Sequence, residues 1–208
     1  MAPGSLRSYA NRGEDRLIND LISHDVKYYV DVGCNHPFVS SNTISLYMLG
    51  WKGLCIDANP VLINQHKRTR INDISLCEVI SDREENKKLT IFVNDKLSTI
   101  SDVLRQKYIS TDDKLNESIV LSSTLEKLFY KYNVPEKFGL LSIDVEGHDF
   151  EVLRSFNIRQ YRPDLIVIEM HDFDMLNPSD SEIYNYLTSN GYKLKSYMVP
   201  NGFFKSDT

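Results

Sequence analysis

Short apolar runs alternate with amphipathic stretches along this chain, and the changes of rhythm fall at Gly, Pro, Asn and Asp. Val26 to Val32 (VKYYVDV) is rich in β-branched and aromatic residues and runs into Gly33, the pattern of a buried strand ending in a tight turn. Ser41 then suits an N-cap, Asn42 to Leu49 carries apolar residues at helical spacing, and Gly50 stops the helix. Gly53 to Ile56 (GLCI) is a second strand, closed by Asp57. Asn59 caps the next helix, Pro60 takes its first position, and His66, Lys67, Arg68 and Arg70 load its C-terminal end with positive charge. Strand, helix, strand, helix in this order predicts a parallel sheet.

Ser75 to Ile80 reads as a third strand and Lys88 to Val93 as a further one. Asn94 to Ser118 is polar and weakly periodic, a long excursion with one helix around Ile100 to Lys107, and its length makes it a candidate substrate lid. Ser123-Thr124-Leu125-Glu126 matches a capping box and opens a helix through Tyr132. Phe138 to Ile143 is the fourth sheet strand, Asp149 to Phe156 a short helix, and Asp164 to Ile168 (DLIVI) the fifth strand, apolar enough to be central. Ser179-Asp180-Ser181-Glu182 is a second capping box, whose helix ends at Asn190-Gly191. Tyr192 to Val199 and Phe203-Phe204, separated by Asn201-Gly202, predict a closing antiparallel hairpin at the sheet edge.

At 208 residues the chain fits one compact domain, taken as residues 6–208. Met1 to Ser5 resembles a cloning scar, as if the domain were excised from a larger multidomain protein. A net charge of −5 argues against a nucleic-acid partner held by phosphate neutralisation, while small anionic or neutral substrates remain open. No apolar run reaches the length of a membrane span and no signal pattern opens the chain, so a soluble protein of a cytoplasmic, reducing compartment is expected. Cys34, Cys55 and Cys77 are unpaired in spacing and read as small buried thiols, not as a disulfide framework or a zinc site.

Ligands of doubly wound sheets bind beyond the carboxyl ends of the strands. Those ends carry Asp31 with Gly33 and Asn35, then Asp57, Asp82, Asp144 with Glu146 and His148, and Glu169 with His171 and Asp172. Five strand ends each bearing an acid exceed what chance placement of 29 acids readily produces. Asp57, at the end of the second strand, stands where a carboxylate receives a ribose diol, which suggests a nucleoside-containing cofactor. The turn from Asp31 to Pro37 has a single glycine, so it lacks the G-x-G-x-x-G of dinucleotide sites, and no P-loop is present. A phosphate-free, positively charged cofactor remains, and S-adenosyl-L-methionine fits. Taken singly, each strand-end Asp has an equal claim to capping the next turn.

At these residues the chain resembles the FkbM family of S-adenosylmethionine-dependent methyltransferases. The resemblance rests on Ser8 to Asp15, Tyr29 to Asn35, Ser41-Asn42-Thr43 with Gly50 to Gly53, Ile56 to Pro60, Ser81-Asp82 and above all Ser142 to Asp149 (SIDVEGHD), in the family's order. Asn11 stands where glutamine is more usual, and His36-Pro37 replaces a second glycine. The resemblance implies an α/β Rossmann-like class I methyltransferase fold: a seven-stranded, mostly parallel sheet with one antiparallel edge hairpin and helices on both faces. It implies that Glu14, Asp31, Gly33, Cys34, Asn35, Asp57, Ala58 and Asp82 surround the cofactor. Asp31, Gly33 and Asn35 would hold the methionine end, Asp57 the ribose hydroxyls and Asp82 the adenine amino group.

An alcohol acceptor must lose its proton during methyl transfer, and the fourth strand end offers Asp144, Glu146 and His148 for the catalytic work. His148 is the candidate base by its ordinary pKa near neutrality, with an exposed helix-start residue as the plainer alternative. A divalent cation, Mg²⁺ or Mn²⁺, is a second route, with Asp144, Glu169 and His171 as candidate ligands and Asp172 beside them. Tyr47, Trp51, Tyr108 and Phe173 either stack a sugar or pack the core and rim. The expected activity is O-methylation of a hydroxyl on a sugar or glycan, such as rhamnose or another 6-deoxyhexose, the sugar coming from the resemblance alone. Two other readings stand beside it: a polyketide-type small-molecule hydroxyl as acceptor, and an inactive cofactor-binding module of a glycan-assembly protein.

Overall fold

The computed structural model describes residues 8–93, 98–111 and 114–207. Met1 to Ser5 and the parts of the excursion at 94–97 and 112–113 lie outside them. The chain runs α1 (Glu14–Leu21), β1 (Tyr28–Val32), α2 (Ile44–Met48), β2 (Lys52–Asp57), α3 (Pro60–Thr69), β3 (Ile74–Cys77), β4 (Val79–Ile80), β5 (Asn86–Phe92), α4 (Asp102–Ile109), β6 (Lys114–Ser123), α5 (Leu125–Lys131), β7 (Lys137–Ile143), α6 (Asp149–Arg154), β8 (Arg162–Glu169), α7 (Glu182–Ser189), β9 (Tyr192–Met198) and β10 (Asn201–Ser206). A 3₁₀ turn, Pro178–Asp180, precedes α7.

Seven strands form one sheet in the order β3-β2-β1-β7-β8-β10-β9, parallel from β3 to β8. β10 is antiparallel to β8 and β9, and it inserts between them so that β9 is the edge. This is the expected Rossmann-like methyltransferase sheet. Alternate residues of each strand face opposite layers. Val30, Leu54, Leu141 and Ile166 pack under α5, α6 and α7, while Tyr29, Cys55, Leu140 and Leu165 pack under α1, α2 and α3. Burial on both faces explains the unbroken apolar run of β8. No helix among the described residues is long and apolar enough to cross a membrane.

Several local expectations shift. The predicted third strand breaks at Glu78: β3 stays in the main sheet, whereas β4 pairs with β6 in a second, three-stranded sheet with the order β4-β6-β5. β6 begins inside the supposed excursion and runs past its end to Ser123, and its apolar residues Ile119 and Leu121 are 66% and 62% exposed, so they mark no buried face. The helix expected near Ile100 is α4, and Ser101 Oγ caps it through Leu104 N–H. Thr124, not Ser123, caps α5, and Glu126 leaves the capping box to accept Asn157 N–H at 2.6 Å. The hairpin turns at Val199 and Pro200, and Asn201-Gly202 belongs to β10, paired with Met198 and Tyr197. Cys77 is exposed, while Cys34 and Cys55 are buried.

Candidate active site

The carboxyl ends of β1, β2, β7 and β8 border a cavity of about 310 Å³, at the lower end of the range for small-molecule sites, roughly 300–1,000 Å³. It lies where the strand order reverses between β1 and β7. The turn after β1 forms its floor. Gly33 has φ +77°, and a Cβ there would meet the carbonyl oxygen of Asp144 at 1.7 Å, so only glycine lets the two loops approach. Gly33 and Cys34 N–H both donate to Ile56 O, at 2.8 and 3.1 Å. Asn35, left-handed at φ +45°, donates its N–H to Asp57 Oδ2 at 2.9 Å, and Asn59 N–H donates to Asp57 Oδ1 at 2.8 Å. Asp57 thereby ties the turn to the start of α3 while lining the cavity with Ala58.

Beneath the turn lies a buried polar network. Asp31 Oδ2 accepts Thr43 Oγ1 at 2.6 Å; Arg70, fully buried, donates to Thr43 Oγ1 at 3.0 Å, to Tyr29 OH at 2.6 Å and to Asp73 Oδ2 at 2.8 Å. The sequence marked Arg70 only as charge at a helix end. Its partner Asp73 three residues on was the available signal for an ion pair, but not for its burial. Ser41 Oγ accepts Ile44 N–H at 3.2 Å, so the expected cap works from one turn before α2.

Acids converge on the cavity. Glu14, at the start of α1, accepts Arg12 N–H at 2.7 Å and Asn201 Nδ2 at 3.4 Å, which joins the N-terminal segment to β10. Burial pushes the Asp144 carboxyl far up, and the charges of Asp149, Glu146, Asp31 and Glu14 add to it. Glu169 is pushed up to about 9 by burial and then by Asp144, Asp149 and Glu146. Asp149 rises to about 7, burial outweighing its bonds from the N–H groups of Val145 and Gly147. Burial raises Asp31 and Glu146 as well. Among the described residues no lysine lines the cavity, and the guanidinium of Arg12 donates to Val199 O. Such a donor set fits a ligand that brings positive charge and no phosphate.

The remaining predicted residues divide. Glu146 has φ +56° and is clamped: Thr99 Oγ1 donates to its carbonyl at 2.8 Å and Tyr108 OH to its Oε2 at 2.7 Å. His148 lines the cavity on the other side, with Nε2 2.9 Å from Ser81 Oγ and a pKa lowered by burial. Asp82 does not line the cavity; its Oδ2 is 3.2 Å from Arg154 Nη2, and Glu78, Val79 and Ile80 form the wall there. Among the described residues, the predicted metal set of Asp144, Glu169 and His171 is not the one gathered: Glu146, Glu169 and His171 bring ligand atoms within 4.8 Å of one another, Glu146 replacing Asp144. Cys34, Cys55 and His66 cluster likewise, fully buried behind the turn. Trp51 is core, Tyr47 packs beside Arg70, Phe173 stacks on Tyr184, and Tyr108 alone of the four aromatics bonds a site residue. Thr99 and Asn201 carry no sequence signal for their place at the site, which comes from contacts across distant chain segments, and Tyr108, expected as a stacking aromatic, instead donates to Glu146.

No curated protein and no solved structure matches this chain. The family described as Methyltransferase FkbM domain matches residues 31–194.

Proposed function

The chain belongs to the FkbM methyltransferase family, and from that premise we propose that it transfers a methyl group from S-adenosylmethionine to a hydroxyl of a sugar, with a glycan-borne 6-deoxyhexose such as rhamnose as the acceptor class. The observation that carries the cofactor is the acid-lined cavity at the strand-order reversal, with a glycine turn on one side and Asp57 on the other. S-adenosylmethionine supplies, when bound, a methyl group on a positive sulfur. Glu14 and Asp144 would face the amino and sulfonium charges, and Asp57 would accept the ribose hydroxyls. Ile80 and Val79 offer an apolar wall for a base, and His148 closes that end.

The acceptor enters on the side of Glu146, Glu169 and His171, beneath α4. The work of the chain is to hold the hydroxyl in line with the methyl group, which contributes several kcal/mol, and to receive its proton. Glu146 suits the role of proton acceptor, because Tyr108 holds one carboxylate oxygen and the backbone clamp fixes the direction of the other. His148 is engaged instead by Ser81, 2.9 Å from its Nε2, and by Glu151, 3.5 Å from its Nδ1. The reaction balances as the C–S bond breaking, the new C–O bond forming and the hydroxyl proton passing to the carboxylate.

The test is incubation with S-adenosylmethionine and a panel of glycosides and polyketide-type alcohols, read by mass for the gain of one CH₂. A methylated glycoside is expected. Product on the alcohols alone would overturn the sugar, and cofactor binding without any product would leave the chain a binding module. Asp57→Asn should weaken S-adenosylmethionine binding at least about tenfold, since it loses a charge-assisted pair of bonds.

A further inference from the structure

Glu169 ends β8, His171 follows two residues later, and Glu146 reaches the same point from the loop after β7. The side chain of Glu169 is nine-tenths buried. Among the described residues no hydrogen bond reaches its Oε2, although His171 Nε2 stands only 2.9 Å away. A buried carboxylate oxygen without a donor is costly, by roughly 1–3 kcal/mol or more. Two lone-pair atoms 2.9 Å apart without hydrogen-bond geometry have the spacing of neighbouring ligands on one ion: bonds of about 2.1 Å at right angles put ligand atoms ~3.0 Å apart.

The third ligand is preset. Glu146 is held at φ +56° by the bonds that Val145 and Gly147 N–H make to Asp149 and by Thr99 on its carbonyl. Tyr108 occupies Glu146 Oε2 and orients the carboxylate, as an outer partner of a metal ligand does. Strain of this kind is kept where it aims a side chain.

We propose that Glu146, Glu169 and His171 bind one divalent cation of the Mn²⁺ type. Two carboxylates and one imidazole make a mixed oxygen and nitrogen set, which suits Mn²⁺ better than Mg²⁺, a cation that favours oxygen alone. Two carboxylate charges neutralise the ion, and three protein ligands leave positions for water or for an acceptor's hydroxyl groups. With the ion bound, Glu146 is its ligand and not the proton acceptor, and the cation would instead acidify the hydroxyl it presents to the methyl donor; that role rests on the function proposed above, the binding itself does not.

The experiment uses protein stripped with EDTA and titrated with Mn²⁺ alone, without cofactor, following the free ion by electron paramagnetic resonance. One saturable site is expected. Glu169→Gln and His171→Ala should each weaken it at least about tenfold, and the positioning variant Tyr108→Phe by about 10-fold, with circular dichroism and melting temperature unchanged or raised. No saturable binding, or binding that Glu169→Gln leaves intact, overturns the site. Mn²⁺ bound without any methyl transfer would keep the site and refute the proposed function.

Discussion

Gly33→Ala tests the geometry that brings the site together. The new Cβ would stand 1.7 Å from Asp144 O and 2.7 Å from Asp144 C, so the carbonyl must retreat by more than 1 Å to reach even the 3.0 Å at which real Cβ contacts begin. That carbonyl cannot drift alone. Asp144 N–H donates to Val32 O at 3.0 Å and Gly33 N–H to Ile56 O at 2.8 Å, so β7, β1 and β2 are tied at this level. A non-glycine residue in the left-handed region costs about 1–2 kcal/mol, and forced overpacking adds about 1–3 kcal/mol. The expected destabilisation is about 2–5 kcal/mol, a fall in Tm of roughly 5–15 °C for a chain of this size. Gly50→Ala is the control. Its φ is +83°, but nothing lies within 4 Å of the added Cβ, so it carries the conformational cost alone. Calorimetry should place Gly33→Ala well below Gly50→Ala, and titration with S-adenosylmethionine should show binding lost in the first and kept in the second. Equal melting temperatures, or wild-type binding by Gly33→Ala, would refute the close approach of the two loops.

The acids at the cavity make the ligand-free protein pH-sensitive. Glu169, raised to about 9, and Asp149, raised to about 7, bind protons in the folded state that the unfolded chain has already lost, so stability falls as pH rises from about 4.5 through these values. The slope is at most about 1.4 kcal/mol per pH unit for each proton; urea midpoints at pH 5 and pH 8 should differ in that sense, and Glu169→Gln should flatten the difference, whereas a midpoint that rises with pH would contradict the burial of these acids. Arg70→Met strips the partner from Asp73, both side chains being fully buried, and should cost about 3–5 kcal/mol in urea denaturation. Pairing it with Asp73→Asn should recover part of that loss; a cost below about 1 kcal/mol would mean that the network beneath the turn holds nothing in place.

The order of elements was legible from local pattern. The apolar runs that became β1, β2, β7 and β8 are continuous because helices cover both faces, and Gly33 and Asn59 with Pro60 mark a turn and a cap whose energetics are decided within a few residues, whereas α7 is capped by Ser181, two residues past the Ser179 of the expected capping box. Positions at the strand ends were legible for the same reason, since a parallel sheet delivers every such residue to one rim. Asp31, Asp57 and Asp144 therefore reach the cavity wherever the helices go. What each carboxylate does there was decided by segments far away in sequence. Asp82 turns to Arg154 because β4 leaves the main sheet after Glu78, and Glu14 meets Asn201 only because β10 inserts beside β8. Tyr108 reaches Glu146 because β5 and β6 carry α4 over the site, and the exposed apolar residues of β6 hid that pairing from periodicity. Hydrophobic period reports which face of an element is buried; it says nothing of which polar atoms, released from water together, must then satisfy one another.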